Sequence, residues 1–224
     1  MKPTLLDDIS EIIDPGDALG EVLFGLIMAL TWTVGSRLVF KQEGLDVGEL
    51  VIATIGCNLA WGIIDAILFI LGTTFYRSRR VRLFRQIKAA KNETTALAVI
   101  AKEFPVDEMP LSPKAGDTDA LYRALLMLAK RADPANAPLS KADMLAALVI
   151  FCLVTATAVP AVIPFLFIGN PDLALRVSNL FLIILLFITG YAWANSSGGR
   201  PFHAGITMTC LGLVLVAIAV ALGG

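Results

Sequence analysis

The chain has 224 residues, 57% of them hydrophobic and 17% charged, with a formal net charge of −1. Soluble domains carry about a quarter charged residues, and a mean hydropathy of +0.77 comes from long apolar blocks, each near the roughly 20 residues a helix needs to cross a bilayer core. A soluble globular protein is excluded, and so is a nucleic-acid binder, because the basic residues cluster beside one apolar block instead of forming a basic domain.

In chain order, residues 4–13 place Leu5, Leu6, Ile9, Ile12 and Ile13 on one helical face with acids opposite, which predicts a short amphipathic helix. Asp7, Asp8, Glu11, Asp14 and Asp17 stand where a basic region would begin a cleavable signal peptide. The first span is therefore expected to serve as its own insertion signal. Asp14-Pro15-Gly16-Asp17 breaks the amphipathic helix. Spans are then predicted over about 19–40, 50–76, 144–168, 173–194 and 204–222.

Between the second and third spans, residues 77–143 are too polar to enter lipid. Arg77 to about Phe104 has helical composition, Pro105–Gly116 reads as a loop, and Thr118–Arg131 reads as a second helix followed by a Pro-containing linker. Thirteen of the eighteen lysines and arginines fall in this insertion, seven of them between Arg77 and Lys91. With five spans, Lys2, the insertion and Arg200 share a side, which the positive-inside rule makes cytoplasmic; the C-terminus is then outside. The expected fold class is an all-α membrane protein of five transmembrane helices with a cytoplasmic helical insertion between the second and third. Its divisions are an N-terminal segment (1–17), the first two spans (18–76), the insertion (77–143) and the last three spans (144–224).

Ionisable groups inside a membrane cost at least about 2.5–3.5 kcal/mol at the helix centre and mark candidate sites. In the second span Thr54, Asn58, Trp61, Gly62 and Asp65 recur at spacings of three and four, so one face carries an acid, an amide and a glycine. Asp65 and Asn58 there either ligate a cation or hold a proton, or they lock helices together by hydrogen bonds. In the first span Glu21, Gly25, Met28, Trp32 and Gly35 share a face. Glu21 is either a cation collector at a pore mouth or a solvated interfacial acid. Met28, a soft thioether ligand that tolerates Fe(II) or Cu(I) better than Mg(II) or otherwise a packing residue, draws its interest from sharing that face. Pro160 and Pro164 bend or unwind the third span: either the break frees backbone carbonyls at a transport site, as broken helices do, or it is a simple kink at the outer end. Cys57, Cys152 and Cys210 read as small buried hydrophobes, and His203, the single histidine, as interfacial. With no phosphate loop, nucleophile elbow or triad in the sequence, the chain is not expected to be an enzyme.

The run ALVIFCLVTATAVPAVIPFLF resembles the third span of the vacuolar iron transporter-like family. FLIILLFITGY, NSSGGRPFHAG and ITMTCLGLVLVAIAVALGG resemble its fourth and fifth spans, with Gly190, Gly205, Met208 and Gly212 in matching places. GEVLFGLIMAL resembles the opening motif: Glu21 and Gly25 match its glutamate and glycine, while Met28 and Ala29 stand where that family has Asp-Gly. In CNLAWGIIDAI, Asp65 and Ala66 occupy the places of its Ser-Met pair. The chain thus resembles a divergent bacterial-type member, in which an acid and a thioether have exchanged helices. The resemblance implies a homodimer with a pore at the subunit interface, exporting Fe2+ or Mn2+ as substrate in exchange for protons, with no permanently bound cofactor. It also implies metal loading by insertion glutamates, for which Glu103 and Glu108 are the candidates, although the insertion is basic and holds only one other, Glu93. The expectation is therefore a metal exporter of the bacterial inner membrane, working through Glu21, Met28, Asn58 and Asp65. The rival is a non-transporting membrane anchor or scaffold of the same fold whose cytoplasmic helices bind a partner.

Overall fold

A computed structural model of the chain describes residues 13–39, 47–106, 116–131 and 138–222. Every regular element among these is a helix: α1 (Pro15–Val39), α2 (Val47–Ala89), α3 (Glu93–Glu103), α4 (Asp117–Arg131), α5 (Lys141–Ala156), α6 (Ala158–Phe167), α7 (Pro171–Ser197) and α8 (Pro201–Ala221). Five stretches are long and apolar enough to cross a membrane: α1, α2, α5 with α6, α7, and α8. The expected amphipathic segment lies outside the described residues except for Ile13. Most of the 105–116 loop, the linker after Arg131 and Glu108 lie outside them as well.

The chain divides into two compact units, Met1–Ile70 with Ser140–Gly224 and Leu71–Leu139. In the first, Leu26, Ala29 and Leu30 of α1 pack against Ala161 of α6, Leu182 and Leu186 of α7 and Val216 of α8. Lipid is as apolar as these side chains, so close backbone approach, rather than expulsion from water, holds such helices together. The α7–α8 hairpin shows how. A side chain on Gly190 would meet the Ala204 carbonyl at 2.8 Å, one on Gly205 would meet the Phe187 ring at 2.7 Å, and one on Gly212 would meet Leu186 at 2.9 Å. The turn between them uses Gly198 in the left-handed region (φ 74°) with Gly199 N donating to Ala194 O, and Pro201 then opens α8.

The third span is interrupted at Thr157, between α5 and α6. Pro160 and Pro164 remove the donors that Ala156 O and Pro160 O would receive in a continuous helix. Ala161 O accepts from Ser178 Oγ on α7 at 2.7 Å, which anchors α6. At the other end, Ser140 and Asp143 form a capping box that starts α5.

The second unit is built from the C-terminal part of α2 together with α3 and α4. Ile87, Ala96, Ile100, Leu126 and Ala129 form its core. No break separates the second apolar run from the basic residues after it: α2 continues to Ala89 because nothing from Leu50 to Ala89 disrupts a helix. The helical stretch expected to run on to Phe104 is instead divided at Asn92. Its side chain accepts from Thr95 N at 2.8 Å and starts α3 as an N-cap.

Candidate functional site

Asp14 sets the entry to the site. Its Oδ1 accepts from Gly16 N at 2.7 Å, and Pro15 occupies the first helical position, so α1 begins at Pro15, earlier than the 19 expected. Asp17 thereby falls in the first turn of α1, one turn before Glu21 and on the same face. On α2, Asn58, Gly62 and Asp65 follow at spacings of four and three. Gly62 lets α2 approach α5 closely: a side chain there would meet Thr155 Oγ1 at 2.8 Å and Phe151 O at 2.9 Å. Phe24 and Trp61 add an edge-to-face contact between α1 and α2, with centroids 5.3 Å apart.

This packing brings the Glu21 and Asp65 carboxyl groups within hydrogen-bonding reach of each other. Both line a cleft of about 430 Å3 with Asp17, Phe24, Phe69, Ile150 and Trp193. Asp65 Oδ2 is buried and has no hydrogen-bond partner among the described residues. A buried carboxylate oxygen without a donor is expensive in an apolar bundle, and a proton or a cation is what would satisfy it. Asp17 faces the same cleft, yet no three His, Cys, Asp or Glu side chains among the described residues are arranged to hold a metal ion. The local oxygen donors are those of the Glu21–Asp65 pair, which are hard ligands.

The other sequence candidates lie elsewhere. Asn58 is fully buried and ties three spans together: its Nδ2 donates to Thr157 Oγ1 at 2.8 Å, Gly25 O at 3.2 Å and Val154 O at 3.4 Å. Of its two readings the geometry supports the helix lock, although its Oδ1 is also buried without a partner. Met28, half-buried and about two turns beyond Glu21 on α1, does not line the cleft. In the second unit Glu103 pairs with Arg79 at 3.0 Å and Glu93 with Arg123 at 3.5 Å. Asp17 and Trp193 were not among the sequence candidates. The four-residue spacing to Glu21 is a signal for Asp17; the sequence holds none for Trp193, far along the chain on α7.

The sequence profile of the VIT family matches residues 76–224, which cover the insertion and the last three spans; Glu21 and Asp65 precede the matched region. No curated protein matches the chain. With two thirds of its length matched and five helices long and apolar enough to cross a membrane, the chain belongs to the VIT family of membrane metal-ion transporters.

Proposed function

We propose that the protein exports a divalent cation, Fe2+ or Mn2+, from the cytoplasm in exchange for protons, with Glu21 and Asp65 as its binding site. The observation that carries this reading is the meeting of two carboxyl groups from different spans inside an apolar bundle. A hydrogen bond between two carboxyl groups holds one proton. A divalent cation entering between them meets two carboxylates and releases that proton, so loading with metal and loss of a proton are one event. Two carboxylates are too few ligands for an octahedral ion. A twofold partner would supply the rest, placing two such pairs about a shared axis. α2 has the surface for this: 11% of its apolar window is buried within the chain, against 44% for Lys141–Phe167. The basic residues after Tyr76 support a cytoplasmic insertion and N-terminus, and in this reading the membrane is a bacterial inner membrane.

The second reading, a scaffold of the same fold, is favoured by the ion-paired glutamates of the insertion, which argue against a metal-loading role there. Metal uptake into proteoliposomes separates the two. Asp65→Asn preserves shape and removes the charge; it is expected to abolish flux of Fe2+ and Mn2+ while expression and assembly stay normal. Wild-type flux in this variant, or none in the wild-type protein, overturns the proposal.

A further inference from the structure

The stretch Arg77–Lys91 carries seven basic residues and no acid. Orientation by the positive-inside rule accounts for the number of these charges but not for their arrangement. Phe75 and Leu83 form the apolar wall of a cleft of about 410 Å3, within the range of small-ligand sites; Ser78, Arg79 and Arg82 form its polar wall, and Glu103 closes it. Glu103 is committed to Arg79 at 3.0 Å. Among the described residues Arg82 has no carboxylate within ion-pair distance, which leaves it as the cation of the cleft.

The depth of this cleft follows from α2 itself. Its apolar run ends in Phe75 and Tyr76, 66% and 62% exposed and in edge-to-face contact, and tyrosine is an amphipathic residue enriched at the membrane–water interface. Arg82 follows Tyr76 by about 9 Å of helix rise. The headgroup layer on each side of a bilayer is roughly 5–8 Å thick. Side chains on a helix lean toward its N-terminus, here back toward the bilayer, so a guanidinium at Arg82 reaches into that layer. A planar cation beside a hydroxyl and an apolar wall is complementary to a phosphate ester that carries an acyl chain.

We propose that this cleft binds the headgroup of an anionic phospholipid, with Arg82 and Ser78 on the phosphate and Phe75 and Leu83 along the glycerol and upper acyl chain. The full-length protein, reconstituted in nanodiscs containing equal phosphatidylglycerol and phosphatidylcholine, is released into the gas phase and its retained lipids are counted by native mass spectrometry. The wild type is expected to retain phosphatidylglycerol preferentially. Arg82→Gln is expected to lower that retention several-fold, Arg82→Lys to lower it less, and Arg131→Gln, which removes the same charge from the end of α4, to leave it unchanged. Millimolar glycerol phosphate, which has the anion but no tail, is expected not to displace the lipid. Equal loss in Arg82→Gln and Arg131→Gln, absence of a preference over phosphatidylcholine, or displacement by glycerol phosphate overturns the proposal. Thermal unfolding of each variant in detergent checks that retention is compared between folded proteins. Retention is read without any transport measurement, so the result is independent of whether the chain moves metal.

Discussion

Two alanine substitutions on one helix test the close packing that places Asp65. At Gly62 an added Cβ would sit 2.8 Å from Thr155 Oγ1 and 2.9 Å from Phe151 O. The hydroxyl can rotate away, but the carbonyl is fixed in α5, so α2 itself must retreat. Overpacking of this kind costs about 1–3 kcal/mol. Replacing a helical glycine returns up to about 1 kcal/mol through propensity, so Gly62→Ala is expected to destabilise by about 1–2 kcal/mol. At Gly56, also on α2, an added Cβ would meet nothing within 4 Å. Gly56→Ala is therefore expected to be neutral or stabilising by up to about 1 kcal/mol. Reversible unfolding of both variants in mixed micelles measures the difference, and metal flux in proteoliposomes provides a second readout. Retreat of α2 draws Asp65 away from Glu21, so flux should fall in Gly62→Ala and hold in Gly56→Ala. A Gly62→Ala protein as stable as Gly56→Ala would refute the close approach and the carboxyl pair that depends on it.

If Glu21 and Asp65 act as one unit, the changes in thermal stability of Glu21→Gln and Asp65→Asn should not add in the double variant; additive changes would separate the two groups. A reporter fused after Gly224 is expected to behave as non-cytoplasmic and one inserted near Ser112 as cytoplasmic; the same behaviour at both sites would contradict an odd number of spans between them.

The spans were legible because an apolar run of this length admits few alternatives, and the carboxyls because Glu21 and Asp65 stand out within such runs. Their meeting was not legible. It depends on Gly62 facing Thr155 and on Asn58 reaching Gly25 and Thr157, contacts between positions far apart in the chain with no local signal. The start of α1 was misplaced for a local reason. Asp-Pro-Gly reads equally as the end of one helix and the start of the next, and only the Asp14–Gly16 hydrogen bond decides for the start. Asp17 therefore stands in the first turn of the span and not in the break before it. In α2 the change from apolar to basic residues reads as an end, although composition shifts there without any helix-breaking residue. Asn58 admitted both a lock and a ligand from its spacing alone; its three acceptors, on three different residues, favour the lock.

The interruption at Thr157 makes the third span two short levers in place of one rod. The second lever, α6, is fastened to α7 through Ser178, while the first, α5, is fastened to α2 through Asn58 at Val154. At the joint Val154 O is shared by Thr157 N, Thr157 Oγ1 and Asn58 Nδ2. Three donors on one carbonyl can be traded one for another at little cost, so the joint can change its angle without ever leaving that oxygen bare. A shift of α2 at Asn58 therefore bears on Val154, beside the joint, while α6 is held to α7 by a separate hydrogen bond.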